Sequence, residues 1–284
     1  MKRFIAALLL LCLLLPACTA SANLQEPEPN PEACEQLDMP DESEPFEPQL
    51  EEIPPLYEPE EGFIIIQDVR YSLEATEIEL RGGNLLTNSD IEPLRYLINL
   101  KSLNLGGNIS DISPLANLIN LREFTSHNNS ISDISALENL INLASLSLNR
   151  NQISDISPLH NLTNLEWLGL SENQISDISA LEGMVNLTFL DLGGNEISDI
   201  TPLKNLTVLG SLFLVENQIS DISALGYIEE IGRLELHGNQ ITDFSPLLNL
   251  TRLGSVVVDR HTITDEQLEE LRVALPNTHI ALAD

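Results

Sequence analysis

The sequence predicts an α/β solenoid, a coil in which short parallel strands form one sheet and short 3₁₀ or α segments lie on the opposite side. Three observations lead to this fold. A leucine motif recurs every 21 or 22 residues from Leu100 onward, apolar and polar residues alternate within each copy, and an asparagine closes each copy. A unit of this length cannot bury its own leucines, so stacked units must share one core.

The chain begins with a targeting segment, residues 1–17. Two basic residues precede an apolar run over residues 4–15, which is too short to span a bilayer and has the length of a signal-peptide core. The run ends in the letters LPAC, closing at Cys18, and these resemble the lipobox of bacterial lipoproteins. The resemblance implies that Cys18 is lipidated on sulfur and becomes the new N-terminus. The alternative is an ordinary secretory signal in which Cys18 is incidental.

Residues 18–61 are predicted to form a disordered tether. After Cys18 they contain nine prolines and fourteen Asp or Glu residues but no Lys or Arg. Such a composition cannot repay the entropy of folding, and prolines and like charges keep the chain extended. Cys12 would be removed with the signal and Cys18 acylated, which leaves Cys34 alone. The mature chain therefore has no internal disulfide.

Residues 62–74 are predicted to be an N-terminal cap, and residues 75–264 the array of repeats. Each repeat follows the pattern L-x-x-L-x-L-x-x-N, as in LASLSLNRN and LTFLDLGGN, and a degenerate first copy, ATEIELRGGN, makes nine units. This spacing is the signature of leucine-rich repeats. The leading apolar positions are Leu100, Leu121, Leu143, Leu165, Leu187, Leu209, Ile231 and Leu253.

One repeat shows the physical logic. Leu146 and Leu148 alternate with polar residues, which predicts a short strand with one apolar face. The following ISDISPL supplies apolar residues to the core from the opposite wall. Ser157 before Pro158 is interpreted as a cap followed by proline in the first helical position. The 22 residues of the unit leave room for only one or two turns of helix there.

An asparagine stands in each repeat where the chain leaves the strand. Because an amide both donates and accepts hydrogen bonds, stacked Asn side chains can satisfy the buried backbone groups of successive turns. The array then ends near His261, and residues 265–284, with leucines at helical spacing, are predicted to form a helical C-terminal cap. The predicted ladder consists of Asn108, Asn129, Asn151, Asn173, Asn195, Asn217 and Asn239.

The repeats over residues 151–200, NQISDISPLHNLTNLEWLGLSENQISDISALEGMVNLTFLDLGGNEISDI, closely resemble those of bacterial internalins. That resemblance implies a curved, right-handed solenoid whose concave strand face binds proteins, and members that face hosts bind host surface proteins. The likeness covers the array alone. We expect no immunoglobulin-like domain after the repeats, and no LPxTG sorting signal occurs near the C-terminus, so host invasion does not follow from it.

Several further motifs are explained by the repeat itself. The NLT triplets match the glycosylation acceptor, but they are the repeat consensus. A row of aspartates offers the oxygen ligands that calcium prefers, but a calcium site needs six or more converging oxygens, whereas this row is stretched along the array. We favour turn formation for these residues, which are Asp133, Asp155, Asp177, Asp199 and Asp221.

The remaining patterns argue against catalysis, metals and nucleic acid. The formal net charge is −31, and a field of that sign repels phosphate backbones. His127 and His237 share a repeat position but lie five units apart, which is too far for one metal ion. No outward-facing serine has a histidine and a carboxylate beside it to activate it. We therefore expect no enzymatic activity, no catalytic residue, no metal and no cofactor.

The outward positions of the strands vary between repeats, and four apolar residues cluster there on adjacent strands. Gly169 and Gly193 are expected to leave open space beside the rings, and acidic residues surround the cluster. An apolar centre with a polar rim is the anatomy of a protein-binding patch. The predicted partner-binding residues are Trp167, Phe189, Phe213, Val215, Asp191, Glu235, Glu166 and Glu172.

The predicted function is the binding of a protein or peptide on the concave face of a monomeric, extracytoplasmic lipoprotein. A lipid on Cys18 would anchor it to a bacterial membrane at the cell surface. Two alternatives stay open. The first is an internalin-like adhesin for host cells, and the second is a lipoprotein that binds a glycan or another solute, since aromatic platforms also stack on sugars.

Overall fold

The computed structural model describes Pro59, residues 62–81 and residues 86–284, which all lie in one compact unit, Pro54–Asp284. Ten parallel strands form one sheet in chain order, and the predicted solenoid is confirmed. Cys18, the segment 1–17 and all of the predicted tether except Pro59 lie outside the described residues. The strands are β3 (Glu77–Arg81), β4 (Ser102–Gly106), β5 (Glu123–Thr125), β6 (Ser145–Ser147), β7 (Trp167–Gly169), β8 (Phe189–Asp191), β9 (Ser211–Phe213), β10 (Arg233–Glu235), β11 (Ser255–Asp259) and β12 (His279–Ala283).

Short 3₁₀ segments lie opposite the sheet, as the length of the repeat predicts. Two apolar walls meet between them and the strands: in the unit of β7, Leu168 and Leu170 are fully buried from one side and Ile175 from the other. Among the described residues no helix has the length and apolarity needed to cross a bilayer. The 3₁₀ segments are Glu92–Tyr96, Ser113–Leu115, Ser135–Leu137, Ser157–Leu159, Ser179–Leu181, Thr201–Asn205, Ser223–Tyr227 and Ser245–Asn249.

The start of the 3₁₀ segment Ser157–Leu159 differs from the prediction. Ser157 is the first residue of its segment, and the capping position is Ile156, whose side chain has no hydrogen-bonding group. The acceptor is instead Asp155, whose Oδ1 receives the N–H of Ser157 at 2.8 Å. Such a bond to the backbone two residues on defines an Asx turn, so a carboxylate outside the segment replaces the predicted serine cap.

The same aspartate bond recurs along the edge of the array. The hydrogen bonds from Ser135 hold the pKa of Asp133 below its usual value, and those from Ser157 and Thr201 do the same for the pKa of Asp155 and of Asp199. Each of these carboxylates bonds within its own turn, to the backbone N–H two residues on. Besides Asp155, the aspartates that make this bond are Asp111, Asp133, Asp177, Asp199, Asp221 and Asp243.

The asparagine ladder joins each unit to the one before it. In the unit of β8, Oδ1 of Asn195 accepts the N–H of Ile175 at 3.0 Å, and its Nδ2 donates to the carbonyls of Leu170 and Leu192, both at 3.0 Å. The amide thus stitches two consecutive turns with both of its polar atoms. The residues that accept the preceding unit's N–H in this way are Asn129, Asn151, Asn173, Asn195, Asn217 and Asn239.

Asn108 lies in a different place from the other predicted ladder residues. It is exposed, and its backbone N–H donates to the carbonyl of Leu86, as that of Ser130 donates to Ile109 one unit later. The reason is a one-residue deletion, because Asn108 directly precedes Ile109 whereas Asn129 stands two before the equivalent isoleucine. Gly107 consequently takes the place that an asparagine occupies in the following units.

A second row of asparagines, which the sequence reading did not identify, lies just before the leading leucines. Each donates through Nδ2 to a backbone carbonyl of the preceding unit at 2.7–2.9 Å. The signal was the N-L that recurs at the start of successive repeats. This row consists of Asn120, Asn142, Asn164 and Asn186, whose acceptors are the carbonyls of Ile98, Ile119, Ile141 and Thr163.

The two ends of the core are covered by different structures. An antiparallel hairpin, β1 (Phe63–Ile66) with β2 (Val69–Ser72), buries two isoleucines at the N-terminal end, where the short α1 (Asn88–Ile91) follows β3. At the other end, α2 (Asp265–Ala274) begins at a capping box formed by Thr264 and Gln267. Strand β12 then extends the sheet, so residues 265–284 are a helix and a strand rather than the helix alone that was predicted.

Candidate protein-binding face of the sheet

The parallel register arranges the outward side chains into rows that cross the strands. The first row contains the candidate site's aromatic residues, and each member is the direct partner of the next. It runs through Glu77, Ser102, Glu123, Ser145, Trp167, Phe189, Ser211, Arg233 and Ser255. The second row, two residues on, runs through Glu79, Asn104, Thr125, Ser147, Gly169, Asp191, Phe213, Glu235 and Val257.

Trp167, Phe189 and Phe213 form one continuous aromatic stack over β7, β8 and β9. The rings of Trp167 and Phe189 are parallel, with centroids 4.6 Å apart and an interplanar angle of 4°. Phe213 follows at 5.4 Å, tilted by 42°. The guanidinium of Arg233 lies 4.9 Å from the centroid of Phe213 and closes the stack with a cation–π contact. The sequence predicted the adjacency of the rings but not the arginine.

The expectation that Gly169 and Gly193 leave open space beside the rings is wrong. A Cβ atom on Gly169 would stand 2.8 Å from Cη2 of Trp167, and one on Gly193 would stand 2.6 Å from Cγ1 of Val215. Both glycines are buried. The indole of Trp167 therefore lies over Gly169, and the side chain of Val215 lies over Gly193. Glycine is required at both positions, because any larger residue would displace the side chain above it.

The four acidic residues predicted around the rings have different environments. Asp191 lies in the second row and accepts the N–H of Gly193 at 3.1 Å, while Glu235 pairs with Arg233 at 2.8 Å. Glu172 follows β7 in the turn and pairs with Arg150 at 2.7 Å. Glu166 precedes β7 and is exposed. Two of the four carboxylates are thus already neutralised by arginines, and the rim of the aromatic stack carries less net negative charge than its composition suggests.

A polar groove, which the sequence reading did not single out, occupies the sheet on the N-terminal side of Trp167. Its volume is about 420 Å³, and its described lining includes three glutamates but no lysine or arginine. Ser102 donates to Glu123 at 3.1 Å, and Asn104 to Glu79 at 3.5 Å. The signal was present in EIEL, which puts glutamate at two successive outward positions. The groove is lined by Glu77, Ile78, Glu79, Ser102, Leu103, Asn104, Glu123, Thr125 and Ser145.

The histidines of the face do not come together. His127 shares a hydrogen bond with Ser147, and both its burial and the nearby charge of Arg150 lower the pKa of its imidazole. His237, five units away, has an Nδ1 without a hydrogen-bond partner in the part of the chain that the structure describes. In that part no group of three or more His, Cys, Asp or Glu side chains is arranged to hold a metal ion.

Comparison with known proteins places this chain in a family. The profile described as Leucine Rich repeats (2 copies) matches residues 98–139, 141–183, 163–205 and 185–227. Internalin C2 of Listeria monocytogenes is 36% identical in sequence, with a TM-score of 0.61, and the match covers 66% of this chain and 84% of that one. The chain belongs to the internalin-like leucine-rich-repeat proteins.

A second internalin supports this membership. Internalin F of Listeria monocytogenes is 39% identical, with a TM-score of 0.68, and the match covers 75% of this chain and 63% of internalin F. The chain thus spans less than two thirds of the length of internalin F. A leucine-rich-repeat protein of Leptospira interrogans, 23% identical with a TM-score of 0.60 over 72% of this chain and 60% of its own, shares the fold. Comparison with curated protein sequences gives no match. Solenoids of this kind present their curved inner surface for binding.

Proposed function

We propose that this internalin-like protein is a lipoprotein that binds a protein or peptide partner through the concave face of its sheet. It acts as a monomer outside the cytoplasm, at the bacterial cell surface. The observation that carries the proposal is the aromatic stack of Trp167, Phe189 and Phe213. Three rings in contact across adjacent strands offer a rigid apolar surface, and large rings lose little entropy when a partner covers them.

The stack lies at variable positions of a repeated scaffold. Ser145 and Ser211 occupy the first row on either side of Trp167 and Phe189, so folding of the repeat does not require a ring at these positions. Val215 adds apolar surface beside the stack, and the acids Glu166, Glu172, Asp191 and Glu235 form its polar edge. This is the arrangement of a binding hot spot, where a dry centre is surrounded by residues that exclude water.

Membrane attachment is proposed from the sequence of residues 1–18 alone. A lipid on Cys18, followed by the acidic and proline-rich residues 19–61, would hold the repeats away from the membrane surface. Changing Cys18 to Ser should move the protein from the detergent-soluble membrane fraction into the soluble fraction. Retention of the Cys18→Ser variant in the membrane fraction would exclude lipidation as the anchor.

Site-specific photo-crosslinking tests the binding face. A photoreactive phenylalanine analogue at Ser211, beside the stack, should yield a discrete adduct in the producer's envelope, and the Trp167→Ala change should abolish it. The same analogue at Tyr227, which is 68% exposed on the opposite side, should give none. Adduct from both positions, or adduct that survives Trp167→Ala and Phe189→Ala, would contradict the proposed site. Adduct formed only with host extracts would instead indicate an adhesin for host cells.

A further inference from the structure

The first row contains a gap between a carboxylate and an indole. Glu123, Ser145 and Trp167 are direct register partners on β5, β6 and β7. Neighbouring strands are about 4.8 Å apart, so the residues on either side of Ser145 stand about 10 Å from each other. The serine between them is too short to fill this interval. The gap is therefore one side chain wide, and Ser145 also lines the polar groove.

The wall of this gap on the β7 side is an aromatic face. Phe189 lies parallel to the indole of Trp167 at 4.6 Å and so covers one face of it. The opposite face is directed toward β6, because Phe189 stands on β8. Among the described residues, no second ring and no cation stacks on this indole. The negative π face of Trp167 is thus presented to the gap, and tryptophan is the ring that binds cations best.

At the other end of the aromatic stack, an aromatic ring and a carboxylate again lie close together, and there a cation contacts both. The guanidinium of Arg233 lies 4.9 Å from the centroid of Phe213 and 2.8 Å from an oxygen of Glu235. An aromatic face and a carboxylate together suit a guanidinium, which stacks through its plane and donates hydrogen bonds from its edge. The gap over Ser145 has the ring and the carboxylate, but the described lining of the groove there contains no arginine.

The charge of the surrounding sheet selects the sign of the occupant. One oxygen of Glu123 accepts a hydrogen bond from Ser102 at 3.1 Å, and a carboxylate has acceptor sites left for further donors. Glu77 lies in the same row, two strands beyond Glu123. Carboxylates thus continue the row away from Trp167, which favours a chain with several positive charges over a single cation.

We propose that the gap over Ser145 binds an arginine side chain from an extended, basic segment of the protein partner. The guanidinium stacks on the indole of Trp167 and donates to Glu123, and the next basic residue of the segment lies toward Glu77. Arginine is favoured over lysine because its planar group makes both contacts at once. The inference rests on the proposed function, since the segment belongs to the partner that the concave face binds.

Trp167, the only tryptophan of the chain, reports on this site by its own fluorescence. The full chain is titrated with a peptide of four Gly-Arg repeats, and with otherwise identical peptides that carry lysine or the uncharged citrulline. The arginine peptide should change the emission saturably at physiological salt. The lysine peptide should bind several-fold more weakly, and the citrulline peptide should give no saturable change.

Three variants separate this site from general attraction to an acidic protein. Glu123→Gln should weaken the arginine peptide about tenfold, as expected for the loss of one charge-assisted hydrogen bond. Glu182→Gln removes the same charge from the opposite side of the array, where Glu182 is exposed at the end of the 3₁₀ segment Ser179–Leu181, and should leave the affinity unchanged. Ser145→Arg should fill the gap from within and abolish binding, while thermal unfolding shows that the variant is folded.

Two results would overturn the inference. One is an equal response to the arginine and citrulline peptides, and the other is equal weakening by Glu123→Gln and Glu182→Gln. The crosslinking experiment distinguishes failure of the arginine site from failure of the proposed function. An adduct at Ser211 that needs Trp167 but survives Glu123→Gln and Ser145→Arg would retain concave binding and reject the arginine site. If the peptides bind as predicted but no adduct depends on Trp167, the arginine site would be retained and the proposed binding of a partner in the envelope would be rejected.

Discussion

Replacing Asn195 by alanine should measure what one rung of the asparagine ladder contributes to stability. Asn195 is only 8% exposed and lies in the middle of the array. Its Oδ1 accepts the N–H of Ile175, and its Nδ2 donates to the carbonyls of Leu170 and Leu192. Nδ2 also donates to the carbonyl of Gly193 at 3.3 Å. Alanine removes all four bonds without adding a charge or a larger side chain, so the change probes hydrogen bonding in a buried place.

The expected loss is smaller than four hydrogen bonds because three of the four backbone groups keep another partner. The carbonyl of Gly193 still accepts the N–H of Glu172 at 2.7 Å. The carbonyl of Leu170 still accepts from Asn173 at 2.9 Å, and that of Leu192 still accepts from Asn217 at 2.9 Å. Only the N–H of Ile175 loses its acceptor. One buried donor left unsatisfied costs about 1–3 kcal/mol, so the free energy of unfolding should fall by about 2 kcal/mol.

Urea denaturation followed by far-UV circular dichroism and by Trp167 emission gives this free energy, provided that both probes coincide. Asn108→Ala is the matched control, because Asn108 is exposed and lies outside the ladder. It should change stability by less than about 0.5 kcal/mol, as for an ordinary surface site. Equal stabilities for Asn195→Ala and the wild type, or equal losses at both positions, would refute the argument that a single orphaned N–H sets the cost.

Three further changes test other parts of the scaffold by the same denaturation assay. Gly238→Ala should destabilise by about 1–3 kcal/mol, because Gly238 has a φ of +74° and a Cβ would meet the backbone of Glu216 at 2.9 Å. The control, Gly183→Ala, should be near neutral, because its Cβ would meet only Thr163 at 3.9 Å. Thr264→Ala should cost about 1 kcal/mol by removing the cap of α2, and an equally stable variant would contradict that role. Hydrogen bonds from Ser157 lower the folded pKa of Asp155, so the stability that it contributes is complete above its unfolded pKa and is lost as the pH falls through the folded value. Asp155→Asn should therefore flatten the pH dependence of the urea midpoint below about pH 4, and an unchanged slope would contradict it.

The sequence was sufficient to predict the fold and the rows of the sheet. The fixed interval between leading leucines puts equivalent residues side by side, so the adjacency of Trp167 and Phe189 follows from counting alone. The deletion that displaces Asn108 was also readable, because no residue separates it from Ile109. Strand β12 was harder to find, since its five residues become a strand only by pairing with the edge of β11.

The side-chain contacts of the site could not be predicted by counting along the repeats. The position of an indole depends on its rotamer, and here Trp167 lies over Gly169 because that residue has no side chain. Likewise, the partner of a long acidic side chain is whichever base can reach it, so Glu172 pairs with Arg150 one unit away rather than standing free at the rim. Repetition determines backbone positions, whereas side-chain contacts depend on every neighbour in the row.

This difference also decides which variants report on binding alone. Trp167 stacks on Phe189 and covers Gly169, and a stacked aromatic pair contributes about 0.5–1.5 kcal/mol beyond its buried area. Trp167→Ala therefore removes a folding contact together with the proposed binding surface, and its binding defect must be compared with that of Phe189→Ala at matched stability. Glu123 is exposed, and its carboxylate accepts a hydrogen bond from the hydroxyl of Ser102. A loss of affinity in Glu123→Gln accordingly reports on the partner rather than on the fold, which makes the polar gap a cleaner test of recognition than the rings beside it.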